Sequence, residues 1–519
     1  MKKQPDTLAL TSLSPGLRRF LYLTAACTGA AIMIIEILGA KMLTPYFGSS
    51  HFVWTAQIAI TLASLASGYY AGGWLVDRSP ALHRIYGLIF GAAAYLAATI
   101  SVLEPLSRRC LTFNLATGTL IAAWVLFFVP LAILAMVGPF FVRVLLLSPG
   151  SVGGAVGRLS AISTLGSLAG TMLIGYVLLP LAPNSVTMFC TSLLLAAVSL
   201  VYFLVWSRDR AVGSVVAMIT IAATAAVGVR IDQVTKFSGA QILRSQNSDF
   251  GSMHVIQMSD GIRYYLNDFL VQNSYDPSSK ESVSLFTHML HNLALAYSPK
   301  LESALCIGVG VGIVPMKLAD AGVKVDVVEI NPAVLSLAKD YFDFQPSKLT
   351  LHLGDGRQFL NQNTKTYDTI ILDAFLGDSS PSHLLTAEAF TSMRLGLKTN
   401  GVLIINCFGS FERNKDFFLA SVDKTLKKTF ADVRIHHSGN GNIFFAASAT
   451  PLVVHHEPGF ETLPVSLQTH ARRAWENIGK TKPESGRVLT DDFNPVEFFD
   501  AKNREEFRRM LASSMSRQH

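Results

Sequence analysis

From Phe20 to Trp206 the chain holds only ten Asp, Glu, Lys or Arg side chains: Glu36, Lys41, Asp77, Arg78, Arg84, Glu104, Arg108, Arg109, Arg143 and Arg158. The other 332 residues hold 69. A water-soluble fold keeps charge on its surface. So sparse a stretch is expected to be solvated by lipid, and the rest by water. Apolar runs fall at about 20–40, 53–76, 85–103, 111–147, 159–181, 185–206 and 213–229. Most are near the ~20 residues that cross ~30 Å of hydrocarbon. The run at 111–147 is too long for one simple helix and contains Pro130 and Gly138-Pro139. It is expected to bend, break or cross twice. The first run lacks a clear cleavage site and is read as a membrane helix, not a signal peptide.

Lys2, Lys3, Arg18, Arg19, Arg208 and Arg210 flank these runs. They read as topology determinants and lipid-headgroup contacts, not as a nucleic-acid surface. Their placement favours a cytoplasmic N-terminal side. Seven crossings would then put the second half outside, whereas six or eight would keep it in the cytoplasm, which is the expectation here. Small residues recur in "STLGSLAGT" (Ser163–Thr171), suited to close helix packing in lipid. Glu36 lies within "IMIIEILGAKML". An intramembrane carboxylate marks either a polar contact, with Lys41 as a candidate partner, or a substrate or proton site. The five cysteines are scattered without a CxxC, so neither disulfides nor a thiolate metal site is expected.

Beyond about 237 the pattern changes. "GSMHVIQMSDGIRYYLNDFLVQ" (Gly251–Gln272) alternates around Asp260-Gly261 and predicts a β-hairpin. Strand and helix patterns then alternate, predicting a parallel α/β sheet behind a small β unit. The domains are read as 1–235 (transmembrane), 236–280 (β unit) and 281–519 (α/β).

"SALCIGVGVGIV" puts Gly308, Gly310 and Gly312 after a strand. Glu329 ends the next strand, placed to hydrogen-bond a ribose. Asp355-Gly356 in "HLGDGRQFL" and Asp373 in "IILDAFLGDSSP" follow later strands. Ligands bind at the carboxyl ends of parallel strands, so these carboxylates should face one crevice. NAD remains possible on the glycine loop alone.

The stretch 249–410 resembles spermidine synthase, an aminopropyltransferase on the fold shared with S-adenosylmethionine (SAM) methyltransferases. "DFLVQ", "GVGVG", "VVEIN", "GDGRQFL" and "DAFLGDSSP" carry the likeness. "LTDDFNPVE" (Leu489–Glu497) and "EILGAKMLTPYFGSSHFVWT" are similar to motifs of bacterial membrane-anchored members. The resemblance implies a Rossmann-like domain binding SAM or decarboxylated SAM, with no metal. Glu329 would hold the ribose hydroxyls, Asp355 the adenine amino group beside Gly356, and Gln272 the nucleoside from the hairpin side. Asp373 would be the catalytic base. Asp378, His288 and Tyr265 are possible substrate contacts. The reaction implied is displacement next to the sulfonium, releasing methylthioadenosine, with a polyamine or other amine as acceptor. A homodimer in a bacterial inner membrane, its catalytic part cytoplasmic, is the family expectation.

Two features depart from the family. Its acidic residue in the glycine loop is replaced by Val311. Its Tyr-His-Glu segment aligns with Phe286, Thr287 and His288. Intact SAM is then not excluded on charge. Three further readings stay open: a SAM-cleaving enzyme without acceptor, a methyltransferase, and a transporter or sensor with a nucleoside-binding domain. The pairs His436-His437 and His455-His456 lack accompanying carboxylates and are not read as metal sites. His383 covers the active site or lies on the surface. "TDD" at 490–492 caps a helix or supports the catalytic face, capping being favoured.

Overall fold

The computed structural model describes residues 13–48, 51–146, 152–234, 239–374, 381–439 and 441–499, with Asn503 and Glu506. The chain separates into two compact units, one of residues 1–47 and 51–236, the other of 48–50 and 237–519.

The first unit is helical. Its helices are α1 (Pro15–Phe47), α2 (His51–Arg78), α3 (Leu82–Cys110), α4 (Leu115–Leu146), α5 (Val152–Leu181), α6 (Asn184–Trp206) and α7 (Ala211–Val234). Among the described residues, seven helices are long and apolar enough to cross a membrane. The fourth run forms one such span with an internal irregularity. It widens into a π turn at Trp124–Phe128, just before Pro130. Proline lacks an N–H and clashes with the preceding turn, so the helix loosens there without ending. Helices α1 and α5 approach closely at small residues. A Cβ on Gly166 or Gly170 would strike the backbone of Ala26 or Ala30.

The second unit opens with an antiparallel sheet, ordered β1 (Ala240–Ser248), β2 (Gly251–Met258), β3 (Arg263–Asn267), β4 (Leu270–Asp276) and β5 (Glu281–Ser282). Helix α8 (Leu285–Tyr297) leads into the α/β part. There follow β6 (Ser303–Ile307), α9 (Ile313–Asp320), β7 (Lys324–Glu329), α10 (Pro332–Tyr341), β8 (Thr350–Leu353), α11 (Gly356–Gln362) and β9 (Tyr367–Leu372). The chain continues with α12 (Ala387–Leu395), β10 (Leu397–Phe408), α13 (Phe417–Thr429), β11 (Asp432–His437), β12 (Asn442–Ser448) and α14 (Val465–Glu476).

The second sheet has the order β11-β12-β10-β9-β6-β7-β8. It is mixed, which corrects the expectation of a parallel sheet. Strand β12 runs antiparallel to both β10 and β11. The reason is local: β11 and β12 are joined by a short turn containing Gly439 and Gly441, and a short turn reverses the chain. The five strands β10, β9, β6, β7 and β8 are parallel.

Successive strand residues point to opposite faces. Ala304, Cys306, Ile371, Ile404 and Phe444 therefore join one buried cluster with α8, α9, α10 and α14. Leu305, Ile307, Ile370, Leu403 and Phe445 join another with α12 and α13. Both faces are covered, which is why these strands read as continuous apolar runs. The segment "NREEFRRMLASS", whose sequence pattern predicts a last helix, lies largely outside the described residues.

Candidate active site

Strand β6 lies between β7 and β9. The chain goes outward to β7 and β8, then returns to the other side of β6. The connections diverge there and leave a crevice beyond the strand ends. A cleft of about 350 Å³ occupies it, and Gly308, Gly310, Glu329, Asp355, Gly356 and Asp373 all line it.

The glycine loop has a steric origin. Gly308 sits at φ 95°, and a Cβ there would strike the carbonyl oxygen of Asp373. Gly312 sits at φ 86°, where a Cβ would enter the Phe344 ring. Gly312 thus shapes the start of α9 and does not line the cleft. Val311 is fully buried in the core and also lies off the cleft wall.

Glu329 ends β7 and is 8% exposed. Its Oε2 accepts the Val309 N–H at 2.9 Å and its Oε1 the Asn331 N–H at 2.7 Å. The carboxylate is thereby pinned to the glycine loop. Burial raises its pKa, and the backbone donors oppose the rise. Asp355 caps α11, its Oδ1 accepting the Gln358 N–H at 2.9 Å. Its Oδ2 lies 2.8 Å from His383 Nε2. Burial would raise this carboxyl, but the Gln358 N–H and His383 outweigh it and hold the pKa below the ordinary value. Gly356 lets α11 start close to β6, since a Cβ there would press on Ile307.

Asp373 directly follows β9. Its N–H donates to the Ile307 carbonyl at 3.0 Å, fixing it beside the glycine loop. Its Oδ1 accepts from Asn406 Nδ2 at 2.8 Å. Desolvation pushes its pKa up to about 6, with the Asn406 N–H acting the other way.

Gln272 and the buried Tyr265 line the wall contributed by the antiparallel sheet. His288 does not join them, which corrects its reading as a substrate contact. It is 2% exposed, with Nε2 2.8 Å from the Ser282 carbonyl and Nδ1 3.4 Å from Lys317 Nζ. Helical phase turns it into the interior while Leu285 and Phe286 face the cleft. Asp378 lies outside the described residues. Glu36 is half-buried in α1, in the helical unit.

Asn406 and Asn442 also line the cleft and went unnoticed in the sequence. Asn406 breaks the apolar run "GVLIINCF" near the carboxyl end of β10, and that break was the available signal. His383 is on the cleft wall. Asp491 corrects the capping reading of "TDD": it pairs with Arg357 through two contacts of 3.2 and 2.9 Å and accepts from Thr386 Oγ1 at 2.7 Å. Among the described residues, no group of three or more His, Cys, Asp or Glu is placed to hold a metal ion.

Residues 284–438 match the spermine/spermidine synthase domain. A polyamine aminopropyltransferase from Vibrio vulnificus is 34% identical over 234 residues, 43% of this chain and 77% of that one. An N-terminal histidine N-methyltransferase from Emericella nidulans is 27% identical over 227 residues, 40% of each chain. The crystal structure of a probable spermidine synthase from Corynebacterium glutamicum aligns with 53% of this chain and 94% of its own, at 17% identity and a TM-score of 0.37. Through its second unit, this chain belongs to the spermine/spermidine synthase family.

Proposed function

We propose that the protein is a membrane-bound aminopropyltransferase that uses decarboxylated SAM and a polyamine-type amine acceptor. The observation that carries this reading is the setting of Asp373. Its carboxyl lines the cleft at the end of β9, beside the glycine loop, with a pKa raised to about 6. A carboxylate so tuned is ionised near neutral pH and still basic enough to take a proton from the acceptor's nitrogen as its lone pair attacks.

Glu329 would accept from the ribose hydroxyls and Asp355 from the adenine amino group. Gln272 would close the nucleoside from the sheet side. The acceptor nitrogen attacks the carbon next to the sulfonium. A C–N bond forms and the C–S bond breaks, sulfur keeping the electron pair in neutral methylthioadenosine. The nitrogen's proton goes to Asp373. The sulfonium is already a good leaving group, so alignment of nucleophile and electrophile supplies most of the acceleration. The protein is further proposed to act as a homodimer in a bacterial inner membrane, with the catalytic unit cytoplasmic.

The test is a product assay on the full chain in detergent, offering SAM or decarboxylated SAM, each with and without putrescine. The expected result is methylthioadenosine only from decarboxylated SAM plus putrescine, abolished in Asp373→Asn. Methylthioadenosine from SAM alone would replace transfer by SAM cleavage. S-adenosylhomocysteine would establish methyltransfer. That second reading has support in the partial likeness to a histidine methyltransferase.

A further inference from the structure

Asp373 is joined to a chain of two neutral amides. Asn406, 4% exposed, donates from Nδ2 to Asp373 Oδ1 at 2.8 Å. Asn442 donates from its own Nδ2 to Asn406 Oδ1 at 2.9 Å. The two asparagines come from neighbouring antiparallel strands, where Asn406 pairs with Phe444 and Asn442 with Phe408.

The order of donors follows from the carboxylate end. An ionised carboxylate only accepts, so its neighbour must present N–H. Asn406 then turns its carbonyl oxygen away, and that oxygen needs a donor, which Asn442 supplies. A half-turn of the Asn406 amide would exchange O for N at almost no change of shape. It would also set a carbonyl oxygen against the carboxylate, which only a protonated Asp373 tolerates. The amide orientation and the proton on Asp373 are therefore linked.

We propose that Asn442 and Asn406 form a positioning pair that keeps an N–H on Asp373 and so holds it ready as the base. Asn442 acts only through Asn406. This rests on Asp373 being the base of the proposed transfer.

Other groups around Asp373 do not supply that stabilisation. Glu329, from the end of β7, and Asp355, after β8, are of the same sign and line the same cleft. His383 across the cleft is engaged with Asp355. Tyr265, from β3, and the Cys306 thiol, on β6, are buried, and burial pushes the pKa of each up, with carboxylate charge adding to it: Glu329 and Asp268 for Tyr265, Asp373 for Cys306. Among the described residues, Asn406 is the side chain that donates to Asp373.

The experiment measures Asp373 directly. The full chain is labelled with 13C-aspartate, and the carboxyl band missing from Asp373→Asn is followed by infrared titration. Methylthioadenosine release from decarboxylated SAM plus putrescine is followed against pH in parallel. Asn406→Leu should raise the midpoint by about one pH unit, a roughly tenfold loss of rate on the acid side. Asn442→Leu should raise it in the same direction, with the KM for the nucleoside little changed. The double variant should match Asn406→Leu alone, because Asn442 has no route to Asp373 except through Asn406. An unmoved midpoint in Asn442→Leu, or additive shifts in the double variant, would overturn the proposal. If a leucine variant fails to fold, Asn406→Ala and Asn442→Ala give the same comparison. A wild-type protein that releases no methylthioadenosine would sink the transfer reaction, while the infrared midpoints would still judge the amide pair.

Discussion

Asp373 is held in a state that works against the fold. Its folded pKa of about 6 stands above the ordinary 3.8. A raised pKa means that the fold favours the protonated form. That contribution is complete below about pH 4 and is lost as pH rises through 6. At pH 8 the charged side chain costs on the order of 3 kcal/mol, at about 1.4 kcal/mol per pH unit. Asp373→Asn should therefore be more stable than the wild type at pH 8, and the difference should close near pH 4, while turnover is abolished. Thermal midpoints of both proteins across that range check the sign. An Asn variant less stable at pH 8 would show that the carboxylate makes a net favourable contact. Glu329, Asp355 and Asp373 were legible because each directly follows or ends an apolar run and so falls at a strand end. Asn406 and Asn442 were not legible as a pair. They are 36 residues apart, and only the β10–β12 register brings them together.

At the scale of elements, two connections set the cleft. The first is the tight passage of the glycine loop over Asp373. Gly308→Ala adds a Cβ at a positive φ and drives it into the Asp373 carbonyl oxygen. The base should be displaced, and kcat should fall by about a hundredfold or more, as for a displacement near 1 Å. A near-normal kcat would mean that the loop gives way without moving Asp373. The second is the segment Leu489–Asn494, which returns from far downstream to hold 382–387. The Leu489 carbonyl accepts the Ala387 N–H at 2.9 Å, Asn494 Nδ2 donates to the Ser382 carbonyl at 2.8 Å, and Arg357 bridges Asp491 to the His383 carbonyl. The segment it holds carries His383 and Leu384 on the cleft wall. Asp491→Ala should speed amide exchange across 382–387 and raise the KM for the nucleoside about two- to fivefold, as befits a half-exposed ion pair. Unchanged exchange there would show that the other contacts suffice. "LTDDFNPVE" was visible as a motif, but its target was not. A pairing across more than a hundred residues leaves no periodic trace in sequence.

For the whole molecule, seven helices among the described residues are long and apolar enough to span a membrane, and seven crossings, an odd number, would leave the two ends of the helical unit on opposite faces. Charge and chemistry then pull against each other. Arg18 and Arg19, and the basic residues around 78–84, 143–158 and 208–210, favour the cytoplasm for the N-terminal side. A cationic sulfonium nucleoside made inside the cell does not cross hydrocarbon unaided. We expect the nucleoside requirement to prevail, so that a reporter active only in the cytoplasm works when fused after His519 and fails when fused before Met1. The reverse pattern would mean that the nucleoside has to be delivered across the membrane. The sequence by itself determined where the chain divides into a charge-poor helical part and a charge-rich α/β part, because charge density and apolar run length are local properties. It also determined the α/β order and the positions of the three cleft carboxylates, because alternation and strand ends are local properties. Tertiary structure alone decided the mixed sheet, the inward turn of His288, the burial of Val311, the amides beside Asp373 and the partner of Asp491. Each of these depends on which distant segments lie side by side, and packing of the whole chain settles that.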